Sequence, residues 1–360
     1  MQERIKNIII TIGFLTILLI VFLTNIIAKD KEISTTERRK LSQFPEIHIS
    51  KIFSGDFAKN FDKYSVDQFV ARDSFRSIKA FNSMYVFKQK DNNKLFKKDG
   101  AIYKIEYPLN ANNVQKSANK INEIYKKYLQ NMNVYYAIIP DKNYYLENDD
   151  HLKMNYNELF SIMNNSLKEI KYIDISNSLT LEDYYKTDLH WRQEKLDNVV
   201  NTIKSNMNLN SNKLEYEVKD VGKFYGTYYG QFGINVQPDD MYILINKEIE
   251  NCITYNYETK EYGKIYSTAK TIDKYDIYLS GATPLITIEN PHATTKKELL
   301  LFRDSFGSSI APLLVQNYSK ITLIDVRYIS SELLDQYINF ENQDVLFLYS
   351  CLILNQNVFK

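Results

Sequence analysis

Two cysteines, Cys252 and Cys351, are the only thiols in 360 residues. That is too few for a disulfide framework. Both stand in or beside apolar runs, which predicts buried free thiols. Histidine is also scarce: His48, His151, His190 and His292 are all there are. Neither HExxH nor CxxC spacing occurs, so neither a metal nor another cofactor is expected. Charge of one sign is missing too, since 45 basic residues face 44 acidic ones. Phosphate binding needs a basic surplus on one face, which excludes nucleic acid as the main partner. No internal repeat and no low-complexity linker interrupts the chain.

One long apolar run is present, at residues 8–28. At about 20 residues it is long enough to cross a bilayer. Arg4 and Lys6 precede it, so residues 1–7 are expected on the cytoplasmic side. The sequence NIIAKD lacks a small-x-small cleavage pattern, and the run exceeds a usual signal core. An uncleaved single-pass anchor is therefore expected rather than a signal peptide, with the rest of the chain outside the cytoplasm. Residues 29–50 are polar and read as a stalk or strap. Residues 51–90 show helical spacing (Phe53, Phe57, Phe61, Tyr64, then Ile78, Phe81, Tyr85). They read as a helical cover, so that 29–90 precede one catalytic domain at 91–360.

Within that domain the pattern alternates. Asp99-Gly100 marks a hairpin, residues 112–131 a helix, VYYAIIP (134–140) a strand, 156–170 a helix and YIDI (172–175) a strand. Residues 193–206 are a further helix. Residues 213–270, rich in Tyr and Gly, read as an irregular β-rich insertion. Strands return at YDIYLS (275–280), LLLF (299–302), ITLIDV (321–326) and VLFLYS (345–350). The rhythm predicts an α/β fold: three α/β/α layers around a doubly wound, mostly parallel sheet.

The stretch LLLFRDSFGSSIAPLL (299–314) organises the rest. Four apolar residues form a buried strand, Arg303-Asp304-Ser305 turn, and a helix begins with Pro312 in its first turns. Ser305 thus stands at the carboxyl end of a strand, where open α/β sheets bind ligands and a helix start favours an oxyanion. Either it is a nucleophile or it merely caps the helix. A nucleophilic serine needs a base, and the base an orienting acid. In YYKTDLHW, Asp188 and His190 lie two apart and share a side if the segment is extended. The other reading is a loop histidine beside a capping aspartate. His292 is the reserve base. The stretch KFYGTYYGQFG (223–233), with Tyr225 and Tyr228, reads as a sugar-facing loop, or else as turns whose tyrosines pack inward.

These motifs, with ERRKLSQFP, IIPDKNY and LIDVRYI, resemble the DHHW family, relatives of the alginate O-acetyltransferases among SGNH-hydrolase-like proteins. The resemblance implies Ser305 as acyl-accepting nucleophile, His190 as base and Asp188 as its partner. It also implies a multi-pass membrane acyltransferase as acetyl donor and a polysaccharide as acceptor. There are departures. Leu189 replaces the first histidine of the family name and is expected to point away from the Asp188/His190 face. Arg303-Asp304-Ser305 replaces Gly-Asp-Ser. Ser280-Gly281-Ala282 stands where relatives carry Gly-Gly-Asn, so an oxyanion would turn to Thr283, Gly281, Phe306 or Arg303. One such donor is worth roughly 2.7–4 kcal/mol. The expected activity is an O-acetyltransferase, with a deacetylase or esterase, or a non-catalytic glycan-binding subunit, as alternatives.

Overall fold

The computed structural model describes residues 2–147, 149–210, 215–269 and 271–360. The chain forms two compact units, Met1–Asn92 with Gly230–Asn235, and Asn93–Tyr229 with Val236–Lys360.

In the first unit, α1 (Gln2–Ile27) is a 26-residue helix with no buried residue, long and apolar enough to cross a membrane. The chain after it is a strap rather than a free stalk. Ile33–Ser34 pairs with Arg39–Lys40. Asp67, at the end of α2 (Asp56–Asp67), accepts from the Arg39 guanidinium (2.9 and 2.5 Å) and the Ser42 amide (2.8 Å). α3 (Arg72–Phe81) follows and runs into a π-helical turn, Asn82–Val86.

The second unit is built on an eight-stranded mixed sheet. Its strands are β1 (Asn133–Ile139), β2 (Lys171–Tyr172), β3 (Ile253–Asn256), β4 (Glu261–Gly263), β5 (Leu285–Glu289), β6 (Glu298–Arg303), β7 (Lys320–Ile324) and β8 (Asp344–Ser350). Their order is β4-β3-β5-β7-β6-β8-β1-β2. The five strands from β7 to β2 are parallel, and β5, β3 and β4 add an antiparallel edge. The sheet is thus less uniformly parallel than the sequence predicts.

Apolar runs arise because both faces are buried. Leu299 and Leu301 of β6 join a core with Val199, Val200 and Ile203 of α6 (Asp197–Asn206). Leu300 and Phe302 join another with Val114 and Ile121 of α4 (Ala111–Ile124), Leu159 of α5 (Tyr156–Ser166) and Leu352 of α8 (Cys351–Gln356). Each such side chain contributes about 1.5–3 kcal/mol. Cys252 and Cys351 are free and buried.

Two expectations need correction. YDIYLS is not a strand. Asp273 caps a 3-10 turn, Lys274–Ile277, by accepting from the Tyr275 amide, and Leu279 and Ser280 take positive φ (56° and 61°), which ends any extended run. The strand beside β7 is LITIE instead, as β5. The stretch 213–270, whose ends at 213, 214 and 270 lie outside the described residues, holds a ribbon (Glu217–Phe224 with Asp239–Ile245). It also supplies β3 and β4 to the main sheet.

Candidate active site

At the carboxyl end of β6, Ser305 opens the short helix α7 (Phe306–Ile310) in a helical conformation (φ −60°, ψ −26°). Its hydroxyl makes no capping bond. Oγ instead lies 2.7 Å from His190 Nε2. The reading of Ser305 as a mere cap therefore does not hold. Asp304 fixes the turn: its carboxylate accepts from the Phe306 amide (3.0 Å) and, across the sheet, from the Ser350 amide at the end of β8 (2.8 Å). Gly307 permits the tight packing, because a Cβ there would stand 2.5 Å from Arg303 Cβ.

Asp188 and His190 come from a tight loop, not an extended segment. A bridge between Tyr184 and Trp191 closes it. Asp188 Oδ1 accepts from both His190 Nδ1 (2.6 Å) and the His190 amide (3.0 Å). The carboxylate thus holds the proton on Nδ1, and Nε2 presents its lone pair to the Ser305 hydroxyl. Asp188 is wholly buried. Burial works against its charge, but the attraction and hydrogen bond of His190, with the Thr227 and His190 amides, outweigh it. They hold the carboxyl well below the usual range. Tyr275 stacks on the imidazole (3.8 Å between centroids, 12° between planes), and Phe306 packs at 4.8 Å. Leu189, between the two, is partly buried and packs against both apolar cores.

Residues 146–324 match the family model described as DHHW protein. Over this stretch the chain matches the DHHW family. A DHHW family protein from Eubacterium siraeum has a similar structure, with a TM-score of 0.62 at 19% identity over 74% of this chain and 95% of that one. Bacillus cereus PatB1 follows at 0.59 and 21% identity, over 75% and 99%. The same protein with a sulfonyl adduct gives 0.57 and 21%, over 74% and 99%. These likenesses extend to the fold. No curated protein matches the sequence.

The other candidates named from the sequence fare differently. The Phe306 amide is already committed to Asp304. Gly281 is a turn residue (φ 87°) whose N–H donates to the Tyr278 carbonyl (3.2 Å). Arg303 is fully buried and faces Asp325 (3.7 Å), with Nε and Nη2 unpartnered among the described residues. Thr283 is buried with an unpartnered Oγ1, and it keeps its place as a possible donor. Tyr228 is 5% exposed, and the Lys142 ammonium lies over its ring (5.1 Å), which removes it from any sugar-facing role. Tyr225 is exposed and packs edge-on against Tyr229 (4.9 Å). His292 is exposed just beyond Glu289, which pairs with Lys320 at the start of β7. That is the opposite end of the sheet from Ser305, so the reserve base is ruled out.

Several neighbours escaped the sequence reading. The Thr227 amide donates to Asp188 Oδ2 (2.6 Å). Gly226 makes this approach possible, since a Cβ there would stand 2.2 Å from the Thr187 carbonyl oxygen. The glycine in FYGT was the available signal, and the loop's first task is to hold Asp188. Ser309 Oγ accepts from Trp191 Nε1 (2.8 Å) and the Tyr275 hydroxyl (2.9 Å), joining three segments around His190. Lys142, buried, donates to the carbonyls of Ile102 (2.6 Å) and Tyr185 (3.0 Å), just before Asp188. Burial lowers its pKa to about 8, against the pull of Asp188, Asp239 and Asp141. Tyr275 carried no local signal at all.

Proposed function

We propose that this chain is an extracytoplasmic O-acetyltransferase acting on a cell-surface or secreted polysaccharide. The observation that carries the reading is the unbroken chain Asp188–His190–Ser305, with links of 2.6 and 2.7 Å. Ser305 Oγ attacks the acetyl carbonyl of a donor while its proton passes to His190 Nε2. The tetrahedral intermediate collapses, the leaving group takes that proton, and acetyl-serine remains. A sugar hydroxyl, deprotonated by the same nitrogen, then attacks the ester and releases Ser305 with its proton restored. Asp188 stabilises the imidazolium formed in each half. Water in place of the sugar makes the same site an esterase.

The finer architecture is read as SGNH-hydrolase-like, with helices on both sheet faces. α1 is read as a single-pass anchor with a cytoplasmic N-terminus. The acetyl donor is read as a multi-pass membrane acyltransferase, near which the anchor would hold the domain. Acyl transfer is tested by supplying an activated acetyl ester with oligosaccharide acceptors and measuring both acetylated sugar and free acetate. Acetylated sugar from wild type but not Ser305→Ala supports a transferase. Acetate alone makes the chain an esterase. Neither product above the variant overturns the enzymatic reading in favour of glycan binding.

A further inference from the structure

The first unit contains a helix turned inside out. The inward side of α3 is formed by Arg72, Arg76 and Ala80. Arg72 and Arg76 both pair with Glu37 (2.6 and 3.2 Å), Arg76 also donates to the Gly230 carbonyl (2.8 Å), and Ala80 is fully buried. The outward side is apolar. Phe75, Ile78, Phe81 and, in the π-helical turn, Tyr85 follow at spacings of three, three and four residues, and each is more than half exposed. Val86 and Phe87 extend the stripe, with Phe87 71% exposed. A helix of a water-soluble domain places these faces the other way round. A continuous exposed apolar stripe of this kind marks a contact surface.

Hydrogen bonds within the unit indicate what covers it. Asn25, in the last turn of α1, accepts from the Val70 amide through its side chain (2.9 Å). Gln68 both accepts from the Lys31 amide and donates to the Lys31 carbonyl (2.9 Å each). The Tyr64 hydroxyl donates to Asp30 (3.0 Å). The loop between α2 and α3 is therefore fastened to the end of α1, where the apolar run gives way to charge. Phe69 and Val70, at that fastening, are exposed, and Phe69 packs edge-on against Phe75 (5.7 Å). The apolar surface thus continues from the end of α1 onto α3.

We propose that α3, with residues 69–70 and 82–87, is an interfacial membrane element: it lies in the headgroup region of the bilayer that α1 crosses, with Phe75, Ile78 and Phe81 turned toward the acyl chains. The proposal rests on the reading of α1 as a span. Its consequence is that the chain leaving the anchor stays on the membrane surface instead of rising from it as a free tether.

The test uses the full chain in liposomes, with single cysteines labelled by a fluorophore. Cys252 and Cys351 are wholly buried and stay unlabelled. Labels are placed by Phe75→Cys, Ile78→Cys and Phe81→Cys on the stripe, Asp73→Cys and Ser77→Cys beside it, and Leu18→Cys within α1. Circular dichroism first confirms that each variant folds like wild type. Nitroxide lipids should quench positions 75, 78 and 81 several-fold more than 73 and 77, and aqueous iodide should give the reverse order. Position 18 should follow the lipid quencher. If 18 is lipid-quenched while 75, 78 and 81 are open to iodide, the interfacial element is wrong and the anchor stands. If 18 itself is open to iodide, the anchor reading falls and takes the proposal with it. If the stripe is shielded from both quenchers, a protein surface covers it, which also overturns the proposal.

Discussion

Two Asp-x-His pairs lie in the second unit, and locally they are near copies. Asp149 and His151 meet at 2.9 Å through Oδ1 and Nδ1, and Asp188 and His190 meet at 2.6 Å through the same atoms. The ring of His151 stacks on Phe96 (3.6 Å, 10°), as that of His190 stacks on Tyr275 (3.8 Å, 12°). What separates them is remote in sequence. His190 meets Ser305, 115 residues on, and the second oxygen of Asp188 takes the Thr227 amide. The second oxygen of Asp149 is buried without a partner among the described residues. A short Asp-x-His turn forms readily by itself. A reactive site requires that a sheet edge deliver a hydroxyl to the far ring nitrogen.

The most severe way to break this comparison is to remove each imidazole in turn. His190→Ala should cut acyl-ester turnover on the order of 10⁴-fold or more, whereas His151→Ala should leave it within a few-fold of wild type. Steady-state rates on an activated acetyl ester check this. Next come the carboxylates. Asp188→Asn should lower kcat by about 10³–10⁴-fold, because the amide no longer fixes the useful tautomer, and Asp149→Asn should not. A smaller loss is expected from Gly226→Ala. The added methyl pushes the Thr227 amide off Asp188, for about 10- to 100-fold in kcat and a lower Tm. Rates and thermal melts on one preparation separate the two effects.

The mildest expectation concerns pH. Asp188 is held below its ordinary value of about 4, so the folded state binds fewer protons than the unfolded chain once pH falls to that region. Its stabilising contribution is complete above about pH 4 and is lost as pH falls further. Asp188→Asn should flatten that acid limb in urea titrations taken at successive pH values. An unchanged limb would mean that the carboxylate is not paired as described.

The legible parts of the molecule were those whose cause is local. LLLF could be read as a strand buried on both faces, and the strand-turn-helix within 299–314 followed from its glycine, serines and proline. The pairing of Asp188 with His190 was also readable, although the backbone achieves it with a closed turn. What escaped depends on chain far away. Tyr275 reaches His190 only because a capped 3-10 turn replaces the strand that YDIYLS suggested. The FYGT loop looked like a binding surface, since its tyrosines are visible in the sequence and the approach of its amide to Asp188 is not. The antiparallel edge of the sheet was missed because LITIE was assigned no element, and β3 and β4 lie in the stretch read as an irregular insertion.

The central claim is that Ser305 is an acyl-accepting nucleophile. The most direct measurement is the intact mass of the full chain in detergent after brief exposure to an activated acetyl ester, with Ser305→Ala alongside and released acetate counted in both. The account predicts an acetyl adduct, or acetate release, in wild type that the variant lacks. Equal adduct and equal acetate in the two proteins would contradict it.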